Sequence, residues 1–279
     1  MKKANNFEKK EIPGGLEKQE YFSEEKFVEE LIKDIKNRFK EIFQSCKPEE
    51  VKEILRSNLI IGEDASGRLP ALFLYRLSKL FRENSKEENN QHGPFLLFFA
   101  GFINIYSAGN NYEEIKENKK EEIKTKLIKF IKKHLRVKNI NITVVTDSII
   151  TGESITPLIE SITLALETLK EKQLINNIKI KLITLNYLIF AQISDIIKKT
   201  KEQLNIPLEV YYITSSKKAP LIFREYSIIG VKKGNYSNIY SDLFQQRNKK
   251  LVNLAHKKIL LFTEELFYQT IKPRLNNDE

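Results

Sequence analysis

The stretch TVVTDSIITGESI, residues 143–155, sets β-favouring residues ahead of an acid, then a turn bearing hydroxyls and one glycine, then the start of a helix. Upstream, NITVVTD predicts a strand over 141–147. Downstream, Ile155, Leu158, Ile159, Ile162, Leu166 and Leu169 recur on one face and predict a helix over about 154–171. The same alternation repeats in both directions. IKIKLITL (178–185) and PLEVYYIT (207–214) read as strands separated by a helix, IFAQISDIIKKT (189–200). On the other side, NLIIGEDASGR (58–68) is a short apolar strand running into a polar loop, and LPALFLYRLSKLF (69–81) is an amphipathic helix. A strand at 95–103 follows, then SAGNN and a lysine-rich helix at about 112–135. Strands alternating with helices predict an α/β fold, an open, mainly parallel sheet with helices on both faces.

Around this core at 58–214 the chain divides further. Residues 1–22 are polar with a Pro-Gly-Gly break and are expected to form a disordered tail. Residues 23–57 read as an N-terminal helical layer: Phe27, Leu31, Ile35, Phe39 and Phe43 recur at four-residue spacing, Ser23 is a candidate N-cap, and Pro48 divides two helices. Residues 215–279 form a C-terminal extension ending in a long amphipathic helix, RNKKLVNLAHKKILLFTEELFYQTI.

Composition narrows the class. With 279 residues, 41% of them hydrophobic, the chain can bury a sizeable core. Its lone cysteine, Cys46, allows no internal disulfide and fits a reducing compartment. No apolar segment follows the N-terminal lysines, so a cytoplasmic protein is expected. The longest apolar run, 94–106, is shorter than the roughly 20 residues a membrane-spanning helix needs. The formal charge of +10 comes from 47 basic and 37 acidic residues. Only nine of the basic residues are arginine and most alternate with glutamate, which describes solvated helix surface better than a nucleic-acid patch. An anionic ligand fits, and nucleic acid is not favoured.

The two polar loops give that ligand a place. A strand ending at Asp147, a loop with one glycine, and a helix starting near Ser154 gather unpaired backbone N–H groups around one point, an anion cradle. Gly152 admits close approach of a phosphate, and Thr151 and Ser154 add hydroxyl donors. Asp147 would repel a bare anion, so it must serve another part of the same ligand: sugar hydroxyls or a magnesium ion. In GEDASGR, Ser66 and Gly67 can offer donors, Arg68 can clamp phosphate oxygens, and Glu63 and Asp64 can help hold a metal. The plainer readings are a helix cap at each loop. GEDASGR also echoes a P-loop, but Arg68 and Leu69 stand where Lys and Ser or Thr are needed.

Together the loops resemble the type I phosphoribosyltransferase family, whose phosphoribosyl pyrophosphate (PRPP) loop has four hydrophobic residues, two acids and a Thr-Thr-Gly-like turn. The resemblance implies that Thr146, Asp147, Ser148, Thr151, Gly152, Glu153 and Ser154 bind the phosphoribosyl group, with Asp147 also catalytic. It implies that Asp64, Ala65, Ser66, Gly67 and Arg68 bind pyrophosphate, and that Asp64 and Asp147 hold Mg2+. Thr146 stands where the family has its first acid, and Ile150 where it has the first threonine of the turn. By this pattern an acid at 146 should raise turnover. The expected partners are phosphoribosyl pyrophosphate or a nucleotide, with no membrane. The acceptor base is not identified, and a homodimer stays open. The alternatives are a nucleotide-binding regulatory domain with weakened catalysis and, behind it, a basic nucleic-acid-binding module.

His92, His134, His256 and Cys46 have no metal-ligand spacing. Tyr211 and Tyr212, followed by SSKKAP, offer stacking surfaces for a base or else form an edge strand.

Overall fold

The structure is a computed structural model. The residues it describes are 24–63, 67–85, 93–99, 112–135, 137–146, 155–185, 208–212 and 249–276. In chain order these form α1 (Glu24–Ser45), α2 (Pro48–Leu55), β1 (Leu59–Glu63), α3 (Arg68–Asn84), β2 (Phe95–Phe99), α4 (Tyr112–His134), β3 (Asn139–Thr146), α5 (Ile155–Glu171), β4 (Asn177–Thr184) and β5 (Leu208–Tyr211). α6 (Lys249–Leu266) follows, continued by a π-helical turn, Phe267–Ile271, and α7 (Lys272–Asn276). The expected tail at 1–22, the Ser23 cap, the helix at 189–200 and the segment 213–248 lie outside the described residues.

The five strands form one all-parallel sheet in the order β2-β1-β3-β4-β5. Every residue of β1 and the last five of both β3 and β4 are buried, as expected of inner strands covered on both faces. Alternation sorts the side chains. Leu59, Ile61, Ile140, Ile142, Val144, Ile180 and Leu182 pack with residues of α4 and α5. Ile60, Val145 and Ile183 join the cluster built with α1, α2, α3 and α6. α3 therefore covers one face, and α4 and α5 the other.

The N-terminal helices and the C-terminal helix share that first core rather than packing by themselves. Leu31, Ile35, Phe39 and Phe43 are all buried as their spacing predicts, and so are Val28, Ile32 and Ile42. The stripe is wider than a single contact needs because α1 packs against both α3 and α6. Phe39 stacks on Phe73 of α3 with ring centroids 5.4 Å apart. Lys36 pairs with Glu265 at 2.9 Å and Lys258 with Glu29 at 2.7 Å, and Lys250 with Glu25, so α1 and α6 run parallel. α2 starts at Pro48, whose missing N–H costs nothing in a first turn, and the Glu50 carboxylate accepts the Lys47 N–H at 2.6 Å.

One strand residue is a buried charge. Lys179 and Lys181 alternate in IKIKLITL as a solvated face would, yet Lys181 is fully buried under α2. Its ammonium donates to Asn141 Oδ1 at 2.9 Å and lies 3.7 Å from Glu53 and 3.9 Å from Glu209. Burial pushes its pKa below the ordinary lysine value, against the opposing pull of Glu209 and Glu53. Because both carboxylates keep contact with water, Lys181→Met strands no buried charge. We expect it to change stability at neutral pH by no more than about 1 kcal/mol, or to raise it. Wild-type protein should also gain stability as pH rises toward about 10.4, since the unfolded chain then binds more protons than the folded one. Urea titrations at several alkaline pH values should show that slope in the wild type and its loss in Lys181→Met. An identical slope in both would refute the assignment.

Candidate functional site

The order 2-1-3-4-5 creates a switch point. β1 leads into α3 on one face, whereas β3 leads into α5 on the other, and the two strands are neighbours. In open α/β sheets the carboxyl ends of two such neighbouring strands are the position where ligands are held. Residues 64–66 and 147–154 are the segments that leave these ends; both lie outside the described residues. Of the expected site residues, Asp64, Ala65, Ser66, Asp147, Ser148, Thr151, Gly152, Glu153 and Ser154 fall in them. Thr146, Gly67 and Arg68 are described.

Glu63 closes β1 and Thr146 closes β3. Both are on the α5 face by alternation, and both are buried, Glu63 being 4% exposed and Thr146 fully covered. Thr146 Oγ1 donates to Glu63 Oε2 at 2.7 Å. The residue at the family's first acidic position is therefore bonded to an acid from the neighbouring strand. An added acid at 146 would meet that carboxylate directly. β4 ends in the same way: Thr184 pairs in register with Thr146, and the Leu185 N–H donates to the Thr146 carbonyl at 3.2 Å. Thr184 is fully buried, and its hydroxyl has no hydrogen-bond partner. Sequence reading passed over Thr184, although VVT (144–146) and LIT (182–184) end their strands alike.

At the start of α3 Gly67 acts by its small size. Its N–H donates to the Glu63 carbonyl at 2.9 Å, closing a tight connection into α3, and is thus not the anion donor the sequence suggested. A Cβ there would lie 2.5 Å from the carbonyl oxygen and 2.6 Å from the amide nitrogen of Glu63, and closer still to the Val145 carbonyl. Gly62 likewise leaves room for Phe98 and Ala71. Arg68, expected as a clamp on phosphate oxygens, is 2% exposed in the first turn of α3, with its guanidinium 5.9 Å from the Phe98 ring centroid. Its charge adds to the positive end of the α3 dipole from within the packing.

The remaining candidates are accounted for by packing. Tyr211 donates its hydroxyl to Glu209 at 3.0 Å, and burial raises its pKa. Burial also pushes the Cys46 thiol up to about 11, so it is a poor nucleophile. His134 lies against the Phe130 and Phe95 rings. Among the described residues no three His, Cys, Asp or Glu side chains gather as a metal site, and no helix is long and apolar enough to cross a membrane.

In comparisons with family models, with curated proteins and with solved structures, nothing matched this chain.

Proposed function

We propose that this chain is a phosphoribosyltransferase-like protein that binds phosphoribosyl pyrophosphate or a nucleotide and transfers phosphoribose to or from a base. The observation that carries the reading is the adjacency of Glu63 and Thr146 at the switch point, because it starts both sequence-matched loops from one place. In this reading Thr151, Gly152 and Ser154 hold the 5-phosphate, Ser148 and Glu153 line the same turn, and Asp147 steadies positive charge developing at the ribose. Residues 64–66 face the pyrophosphate, with the buried charge of Arg68 behind them.

In this reading Asp64 and Asp147, which follow Glu63 and Thr146 in sequence, share Mg2+. Bound there, the ion would neutralise charge on departing pyrophosphate. The residue at 146 brings no charge of its own, which favours slow turnover and keeps a nucleotide-binding regulatory role as the second reading.

Thermal-shift and calorimetric titration with phosphoribosyl pyrophosphate and nucleoside monophosphates, each with Mg2+, test the reading. Binding with a raised Tm is expected, and Asp147→Asn should weaken it by about tenfold, the cost of one charge-assisted hydrogen bond. Pyrophosphate release across purine, pyrimidine and orotate-like acceptors then separates an enzyme from a binding domain. No affinity for any of these ligands would overturn both readings.

A further inference from the structure

α6 is held by α1 and α3 on its inner side, where Leu251, Val252, Ala255, Ile259, Phe262 and Leu266 are buried. The opposite side carries Asn253, Lys257, Leu260, Leu261 and Glu264, all exposed. At 3.6 residues per turn these five fall on one stripe roughly 100° wide. Leu260 is 42% and Leu261 54% exposed, and Tyr268, at 48%, extends the apolar surface beyond Leu266.

A solvated helix face looks different in this protein. On α4 the exposed charges pair along the helix: Lys116 with Glu113, Lys120 with Glu117, Lys124 with Glu121 and Lys126 with Glu122. On α6 the residues three and four positions from Lys257 and Glu264 are Asn253, Leu254, Leu260, Leu261, Phe267 and Tyr268. None is charged, so neither side chain can pair along its own helix. The ion pairs of α6 with α1 go through Lys250, Lys258 and Glu265 instead. Among the described residues Lys257 and Glu264 have no ion-pair partner.

The stripe is symmetric under reversal. Lys257 lies three positions before Leu260, and Glu264 three positions after Leu261. Two copies laid antiparallel about that centre set Leu260 on the partner's Leu261 and Lys257 on the partner's Glu264. Each contact is then made twice, as an isologous two-fold interface requires. A parallel pairing would set lysine on lysine and glutamate on glutamate. The charges thus select both the occupant of the face and its direction. The same register takes the partner's Tyr268 toward Asn253, where Glu25, Lys250, Asn253, Leu254 and Lys257 line a groove between α1 and α6.

We propose that this chain forms a two-fold dimer through the exposed face of α6, the two helices antiparallel and centred on Leu260 and Leu261. The proposal is independent of the ribosyl reading. From Asn253 to Tyr268 the seam is about 23 Å long. That is short beside the roughly 1,600 Å2 buried by a standard stable complex, so the association is reversible, with a Kd of about 1–100 µM.

The experiment is sedimentation equilibrium of the full chain across about 1–500 µM, a range that brackets this Kd. Wild type is expected to move from the 32.7 kDa of one chain toward twice that mass as concentration rises. Leu261→Asp should raise the Kd by about tenfold or more, because it puts charge at the centre of the seam. Lys257→Glu and Glu264→Lys each set like charges opposite one another twice, and each should raise the Kd by about fivefold. The double variant carrying both changes in one chain restores both pairs, and its Kd should return to within about twofold of wild type. Neither an unspecific apolar contact nor a parallel pairing would give that rescue. Circular dichroism and Tm at the lowest concentration check the fold of each variant, and the exposed positions of all three residues predict no change. A wild type that stays monomeric throughout would overturn the proposal. So would a dimer indifferent to Leu261→Asp, single charge variants that associate like wild type, or a double variant as weak as the singles.

Discussion

Gly67→Val should destabilise the protein by about 3 kcal/mol, at the upper end of overpacking effects, because the atoms it would strike are backbone. The carbonyls of Glu63 and Val145 belong to two inner strands and cannot move without breaking the β1–β3 ladder. The alternative is displacement of the first turn of α3, which would carry Arg68 off Phe98. Urea unfolding should show a lower midpoint at an unchanged slope, and ligand affinity should fall with it. A variant with the wild-type midpoint would mean that the approach of α3 to the sheet is looser than these distances state.

Thr146→Asp, the change that would complete the acidic pair of the resembled family, is expected to cost about 3–5 kcal/mol at neutral pH by leaving a buried charge uncompensated. Wild-type Thr146 donates to Glu63 at 2.7 Å with no solvent contact, and an aspartate there places two carboxylates at hydrogen-bond range. Such a pair can hold one proton between them, so the folded state takes up a proton that the unfolded chain has released at neutral pH. The folded-state pKa is raised, and the lost stability should return as pH falls toward the ordinary carboxylate range. Adding Glu63→Gln should restore much of the loss at pH 7, because an amide can donate to the new acid. Denaturation of the single and double variants between pH 4 and about pH 8 reads both effects. A stable Thr146→Asp protein with faster turnover would return Glu63 to a spectator role.

The architecture was legible wherever period and length agreed. Ile155 to Leu169 on α5 and Leu31 to Phe43 on α1 are buried as their spacing requires, and Pro48 begins α2. The strand order was not, because pairing of β1 with β3 across an intervening strand leaves no local trace. Nor was the parallel seating of α1 on α6, which depends on residues more than two hundred positions apart. At the site, residue type was informative about location and misleading about role. Gly67 read as a donor and serves as a space, and Arg68 read as a phosphate clamp and is packed against Phe98. Glu63 read as part of a polar loop and is a buried strand residue, since its solvation is decided by its neighbour Thr146 rather than by its own sequence context.

The seating of α1 on α6 also sets an order of events during synthesis. Ser45 and Lys249 are separated by 204 positions, so a ribosome adding about 5–20 residues per second completes α1 on the order of 10–40 s before α6 begins to emerge. Through that interval the face of α1 that α6 will cover is without its permanent neighbour, while α2, α3 and the early strands can already dock. The sheet can thus assemble in the growing chain, but its outer helical layer closes only after α6 has emerged. Until then the side of α1 that carries Glu25, Glu29 and Lys36 is without its ion-pair partners on α6.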